Sequence, residues 1–276
     1  MKAVLLVAEK EIHEGIRNRW VVAATLLLAA LALTLTFLGA APAGRVGVGA
    51  LEVVVVSLSS LSVFLLPLIA LLLSHDAVVG EMERGTLLLL LTYPLARWQV
   101  LLGKFLGQVA ILALATVLGY GAAAAALVAS GAQIAPDGWW AFGYMIGSSV
   151  LLGAAFVALG TLASTLVRDR GAAAGIAVGL WLLLVLLWDM GLLGLLVADQ
   201  GEHLSGSVVD ALLLLNPADA YRLFNLAGLA DVRSLTGMAA MGGESGLSPS
   251  LLLAALVAWA LLPLAAAAAL FSRREL

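Results

Sequence analysis

The amino-acid sequence predicts an all-α membrane protein with six transmembrane helices. Of its 276 residues, 63% are hydrophobic and 11% are charged, whereas a soluble domain is roughly half apolar and a quarter charged. Apolar runs of about 20 residues, the helical length that crosses a hydrocarbon core of about 30 Å, recur along the chain. The predicted spans are about Trp20 to Ala41, Val53 to Ser74, Phe105 to Ala129, Ala141 to Val167, Gly171 to Ala198 and Ser250 to Phe271.

The charged residues separate the fourth span from the fifth and set the orientation. The triplet 168–170 is too costly to leave in hydrocarbon, so it divides two spans. If both termini share one side, only Arg45, Arg222 and Arg233 of the 14 Lys and Arg fall on the other side. The positive-inside rule then places both termini in the cytoplasm. We expect residues 1–276 to form a single six-helix domain, with multiple passes through the bacterial inner membrane.

Several functional classes are excluded by what the sequence lacks. A net charge of −3 provides no basic surface for nucleic acid. No Gly-x-x-x-x-Gly-Lys-Ser/Thr phosphate loop occurs, because Trp98 stands where its first glycine would precede Gly103 and Lys104. The chain therefore cannot hydrolyse ATP itself, and no catalytic residue is predicted.

Metal sites are poorly supported as well. Cysteine is absent, which excludes disulfides and thiolate metal sites. Met190, Met238 and Met241 could offer thioethers to Cu(I), but without a nearby histidine they favour ordinary loop or membrane-facing methionines. His75 and Asp76 are interpreted as boundary residues at the membrane surface. No metal site is predicted.

Two segments outside the spans are predicted to be amphipathic. Residues 1–19 favour an N-terminal interfacial helix, and an ordinary charged cytoplasmic start is the alternative. Its apolar stripe would contain Leu5, Ala8, Ile12 and Ile16, with Lys10, Glu14 and Arg17 opposite. In the segment 199–249, two apolar stretches around the turn Asn216-Pro217 predict short helices that lie against the membrane surface.

The loop at 75–104 concentrates charge at the inner mouth of the membrane. Asp76, Glu81, Glu83 and Arg84 fall within a few helical turns, where charged groups can engage a partner. The alternative is a merely solvated loop. The sequence signature described next favours contact with a partner protein over a solvated loop.

This loop resembles the signature of ABC-2 type permeases. The matching residues are ERGTL at 83–87, YPLAR at 93–97 and GK at 103–104. The resemblance implies the type V permease fold, a homodimer, and a cytoplasmic coupling helix that docks on an ABC ATPase. It also implies that ATP and magnesium are bound by that ATPase, and that this chain binds no cofactor. The residues implied in ATPase coupling are Asp76, Glu81, Glu83, Arg84, Thr86, Arg168 and Arg170.

Three further stretches resemble a narrower group of ABC-2 permeases, those involved in assembling the copper sites of nitrous oxide reductase. They are NRW at 18–20, LLLLLTYPL at 87–95 and LNPADAYRLFNLAG at 215–228. The resemblance implies that ATP hydrolysis drives transport or conformational work on a periplasmic protein. The residues expected to contact that protein are Asn216, Asp219, Tyr221, Arg222 and Asn225.

Two intramembrane features leave alternatives open. Asp189 lies well inside the fifth span, where it either lines a pathway or is an interfacial carboxylate anchored beside Trp188. A pathway built on Asp189 would suit an ion-gradient-driven transporter or channel, the alternative to an ABC permease. The glycine repeats Gly171–Gly179 and Gly143–Gly147 permit close helix packing, either within the subunit or at a homodimer seam.

Overall fold

The chain folds into a bundle of helices, seen in a computed structural model. The structure describes residues 2–39, 50–87, 92, 95–132, 134–199, 204–227 and 247–274, and these contain no strand. The helices are α1 (Lys2–Ile16), α2 (Arg19–Gly39), α3 (Ala50–Ser74), α4 (Val79–Glu83), α5 (Arg97–Ala129), α6 (Pro136–Leu166), α7 (Arg170–Trp181), α8 (Trp188–Asp199), α9 (Gly206–Leu214), α10 (Pro217–Ala227) and α11 (Pro249–Arg273). A π-helical segment, Leu182–Leu187, joins α7 to α8.

The prediction of six spans is confirmed. Six helical segments of the described chain are long and apolar enough to cross a membrane, and they correspond to α2, α3 with α4, α5, α6, α7 with α8, and α11. The third span begins at Arg97, earlier than the predicted Phe105, and has 33 residues. Its length of about 50 Å exceeds a hydrocarbon core of about 30 Å. The first turns of α5 therefore extend beyond the membrane core.

Helix α6 is the central helix of the bundle. In the most apolar 18-residue stretch of this helix, 72% of the residues are buried, whereas in that of the fifth span only 11% are. Glycines allow α6 to approach its neighbours, since a Cβ on Gly160 would lie 2.0 Å from Ser74 Oγ and one on Gly153 would lie 2.1 Å from Leu112 Cδ2. The fifth span, by contrast, presents most of its surface to lipid or to another chain.

The two ends of the bundle carry different features. We call the end that holds both termini the terminal end. There Arg97 Nη1 donates to the carbonyl of Phe271 at 3.2 Å, and Arg274 donates to the carbonyls of Thr165 and Val167 at 2.8 and 2.7 Å. These bonds join the start of α5 to the ends of α6 and α11. We call the opposite end, where α11 starts and α8 ends, the distal end.

Helix α1 runs alongside the first turns of α5. A Cβ on Gly103 would lie 2.6 Å from Val7 Cβ, and a Cβ on Gly107 would lie 2.5 Å from Glu11 Cβ. Only glycine permits this approach, because real Cβ contacts are longer than 3 Å. The contact positions advance together along both helices, so α1 and α5 run in the same direction.

The predicted N-terminal helix is present as α1, its interfacial placement stays a prediction, and it packs on α5 through a face that shares only Ala8 with the predicted apolar stripe. Leu5 and Ile16, assigned to the apolar stripe, are 64% and 51% exposed. The buried face instead contains Val4, Val7, Ala8 and Gly15. The close approach of the α5 glycines selects small and β-branched residues for the interface, and the larger side chains remain on the outside.

The helices of the distal segment do not lie on a surface as predicted. Helices α9 and α10 form a hairpin that inserts into the bundle, where Asn216 Nδ2 donates to the carbonyl of Leu184 at 2.7 Å and Trp259 Nε1 donates to that of Leu214 at 3.2 Å. Ser149, a partner of α10, lies about 20 Å along α6 from its first residue. Helix α10 inserts because its polar side chains find hydrogen-bond partners inside the bundle.

Candidate functional site

Helix α4 is held at the terminal end by hydrogen bonds. The backbone N–H groups of Val78 and Val79 donate to Ser164 Oγ on α6 at 3.0 and 3.1 Å. The chain turns away at Gly85, whose φ of +69° favours glycine. Thr86 Oγ1 donates to the Glu81 carbonyl at 3.3 Å and closes that turn. The position of α4 is thereby fixed relative to α6.

Arg170 ties α4 to the start of α7. Its guanidinium pairs with Asp76 and lies 3.9 Å from Glu83 Oε2, while its backbone N–H donates to Glu83 Oε1 at 2.9 Å. Gly80 leaves room for this arrangement, because a Cβ there would lie 3.0 Å from the guanidinium. The three paired side chains are partly exposed, so the ion pairs contribute about 0–1 kcal/mol each. Their effect is mainly to orient α4.

A buried ion cluster joins α4 to α1 and α5. We define the Lys104 cluster as Lys104, Glu11 and Glu81. Lys104 Nζ lies 2.7 Å from Glu11 Oε1 and 2.8 Å from Glu81 Oε1, and the three side chains are only 5%, 13% and 7% exposed. Lys10 approaches Glu81 from the solvent side at 3.4 Å. Since Lys104 pairs with carboxylates from two other helices, and Lys10 supplies the second positive charge, the cluster fixes α4, α1 and α5 together.

The structure divides the residues predicted to couple to an ATPase into two groups. Glu83, Arg84, Thr86 and Arg168 are exposed at the terminal end. Asp76, Glu81 and Arg170 are less exposed and bond within the chain, as the exposed Glu83 and Thr86 also do. The burial of Glu81 keeps its carboxylate away from any external surface. Contact with an ATPase remains a prediction. The exposed group is where such a contact is sterically possible.

Lys104 and Glu11 were not singled out from the sequence as site residues. A lysine directly after Gly103, at the start of a long apolar run, is the signal that could have identified the cluster. Its two carboxylate partners lie 93 and 23 residues away along the chain. The spacing of these residues along the sequence therefore does not reveal that they meet in the fold.

Toward the distal end, the inner face of α10 enters a buried hydroxyl network. Tyr221 and Ser149 hydroxyls are 2.8 Å apart, Ser62 and Tyr120 hydroxyls are 2.6 Å apart, and all four side chains are fully buried. Each hydroxyl has a hydrogen-bond partner, so its burial does not incur the free-energy cost of an unpaired polar group. The serines and Tyr120 were not identified from the sequence, because isolated hydroxyls in apolar runs carry no distinguishing pattern.

The residues predicted to contact a periplasmic protein also lie within this region. Asn216, Asp219, Tyr221 and Asn225 are buried, and Arg222 is only partly exposed. Asn225 Nδ2 donates to Ser148 Oγ at 3.0 Å. While α10 is docked, these side chains hold the hairpin in place, and direct contact with an external protein is limited to Arg222.

Arg222 bridges two carboxylates on different helices. It lies 2.9 Å from Asp189 Oδ2 at the start of α8 and 3.0 Å from Asp219 Oδ1 on α10. Burial and, to a smaller extent, the charge of Asp189 raise the pKa of Asp219 to about 7, although the charge of Arg222 opposes both effects. The pathway candidate Asp189 is therefore ion-paired.

The glycine repeats face outward. No atom lies within 4 Å of a Cβ added at Gly143, Gly147, Gly175 or Gly179. Close packing within the subunit is therefore wrong for these glycines, and the homodimer-seam interpretation stays a prediction.

Of the weaker metal candidates, His75 Nδ1 faces the carbonyl of Leu72 at 3.0 Å, and Met190 is 69% exposed. Met238 and Met241 lie outside the described residues. Among the residues that are described, no three His, Cys, Asp or Glu side chains group as metal ligands would.

Similarity to known proteins covers the whole chain. Residues 5–276 match the family described as ABC-2 family transporter protein. The chain is 50% identical to "Probable ABC transporter permease protein NosY" of Pseudomonas aeruginosa over 100% of both chains. It is 46% identical to the protein of the same description from Stutzerimonas stutzeri over 99% of both chains.

Proposed function

The chain belongs to the ABC-2 family of transporter proteins and is a permease subunit of an ABC transporter, and from that premise we propose that its terminal end couples a partner ATPase to the membrane domain. The observation that carries the proposal is the two-sided placement of α4. One side bonds to α1, α5 and α6, and Glu83 bonds to the start of α7, whereas Arg84, directly after α4, is exposed. A force applied to the exposed side would reach four helices at once.

The proposed orientation places the terminal end in the cytoplasm of a bacterial inner membrane. The excess of Lys and Arg around the terminal end supports this orientation. The ATPase there would bind ATP and magnesium, and this chain would contribute no nucleotide site. The alternative of an ion-gradient-driven transporter or channel gains no support from the family match.

We extend the proposal to the periplasmic side. Both relatives carry the description NosY, which supports a complex with a NosF-like ATPase and a NosD-like periplasmic protein in copper-site assembly of nitrous oxide reductase. The α9–α10 hairpin is the element of the distal end best suited to pass on conformational work, because it is held by hydrogen bonds and ion pairs that can be exchanged.

Co-purification tests the coupling proposal. The chain is co-expressed with the candidate ATPase, extracted in mild detergent, and assayed for ATP hydrolysis. We expect a stable complex whose hydrolysis rate falls when Arg84 is changed to Glu. Changing the exposed Ser207 to Glu at the distal end serves as the control and should leave the rate unaltered. Unchanged hydrolysis in the Arg84→Glu complex would refute the role of α4.

The proposed homodimer uses the exposed face of the fifth span. Leucine at Gly175 and Gly179 is expected to separate two copies, because close backbone approach at such glycines requires the absence of a side chain. Native mass spectrometry in detergent should then record a shift from two copies to one. Gly121→Leu is the matched control, since the surroundings of Gly121 are equally open within the subunit. A double variant that stays dimeric would place the seam elsewhere.

A further inference from the structure

Two carboxylates meet where the inserted hairpin contacts the fifth span. Asp189 lies in the first turn of α8, just after the π-helical segment, and Asp219 lies in the first turn of α10. Arg222 is the cation that pairs with both, at 2.9 and 3.0 Å. The side chain of Asp219 is only 4% exposed, and its Oδ2 atom is buried without a hydrogen-bond donor in the described structure.

The charge balance of this group is incomplete. Two ionised carboxylates and one guanidinium carry a net charge of −1, and a buried charge without a partner is costly. A single proton would neutralise the group and would convert Asp219 Oδ2 into a donor. Two carboxyl groups can share a hydrogen bond only when one of them is protonated.

We propose that Asp189 and Asp219 form a proton-binding site and that the bound proton stabilises the docked position of α10. The inference is independent of ATPase coupling, because it concerns only contacts between α8 and α10. The elevated pKa of Asp219, about 7, agrees with this geometry.

The surroundings of the site contain few competing charges. Among the described residues, α3 and α6 present the Ser62, Ser148 and Ser149 hydroxyls to α10, and α5 presents Tyr120. Tyr144 of α6 and Leu253 of α11 line an apolar groove beside Phe224 and Asn225, and α9 carries the carboxylate Asp210. Arg222 is therefore the cation that faces the pair.

The direction of the pH effect follows from linkage. The ordinary pKa of an aspartate is 3.8, and in the docked state that of Asp219 rises to about 7. The docked state thus binds the proton more tightly than the undocked state does. Docking is most stable below the ordinary value, weakens as the pH rises from about 4 to about 7, and changes little above that range.

Hydrogen exchange of the full chain in lipid nanodiscs tests the proposal. After correction for intrinsic exchange, peptides covering 217–227 should exchange at least about tenfold faster at pH 8 than at pH 5. Asp219→Asn, which imitates the protonated acid, should remove that difference and keep α10 protected at both pH values. Asp210→Asn on α9 is the control and should retain the wild-type difference.

Infrared difference spectroscopy reports the protonation itself, separately from hydrogen exchange. The carbonyl stretch of a protonated carboxylic acid should disappear with a midpoint near 7 in the wild type and be lost in both Asp219→Asn and Asp189→Asn. A midpoint below about 5, within the usual range of an aspartate, would overturn the proposal. So would a pH dependence of exchange that persists in Asp219→Asn.

Discussion

Replacing Lys104 with methionine is expected to destabilise the protein by about 3–5 kcal/mol, the usual cost of breaking a buried ion pair by removing one partner. Glu11 and Glu81 would lose their buried cation and keep only the partly exposed Lys10, which lies 4.0 and 3.4 Å away. The expected result is a lower midpoint of thermal unfolding in detergent, together with faster hydrogen exchange in α1 and α4.

Two comparisons identify the cause of that loss. Lys10→Met removes a lysine that is 42% exposed and should change stability little. Combining Lys104→Met with Glu11→Gln and Glu81→Gln removes the uncompensated charges and should recover much of the lost stability. An unfolding midpoint for Lys104→Met equal to that of the wild type would show that the cluster does not hold these helices together.

Leucine at Gly107 is expected to displace α1 from α5. Even a Cβ at this position would lie 2.5 Å from Glu11 Cβ and 3.0 Å from the backbone carbonyl oxygen of Ala8, so side-chain movement alone cannot make room. Overpacking of this kind costs on the order of 1–3 kcal/mol. Limited proteolysis should detect the release of α1, and the Lys104–Glu11 pair should break with it.

The control for Gly107→Leu is Gly121→Leu on the same helix. No atom lies within 4 Å of a Cβ at Gly121, so this variant changes the composition of α5 equally without a clash. Equal proteolytic resistance of α1 in the two variants would contradict the close crossing of α1 and α5.

The six spans could be predicted because their signal is local. Run length and hydropathy depend on neighbouring residues, and the charged triplet at 168–170 separates two spans without any tertiary information. The position of α4 could be predicted for the same reason, since its acidic motif is contiguous. The start of α5 at Arg97 was missed because hydropathy marks only the part of a helix inside the membrane. The first turns of α5 continue beyond it, where they pack against α1.

The inner surfaces could not be predicted, because they depend on which helices meet. An amphipathic pattern does not distinguish a face that meets lipid from one that meets protein, so α10 was misplaced and the packing of α1 against α5 was not foreseen. The Lys104 cluster joins three helices, and the partners of Tyr221 come from another helix. Tertiary contacts, and not local propensity, determine these sites.

The central claim is that the exposed side of α4 meets an ATPase, and site-directed cross-linking tests it most directly. The chain contains no cysteine, so Arg84→Cys creates a single attachment point for a cysteine-to-lysine cross-linker in the co-purified complex. We predict a covalent adduct with the ATPase from position 84 and none from Ser207→Cys at the distal end. An adduct from position 207 with none from position 84 would contradict the account.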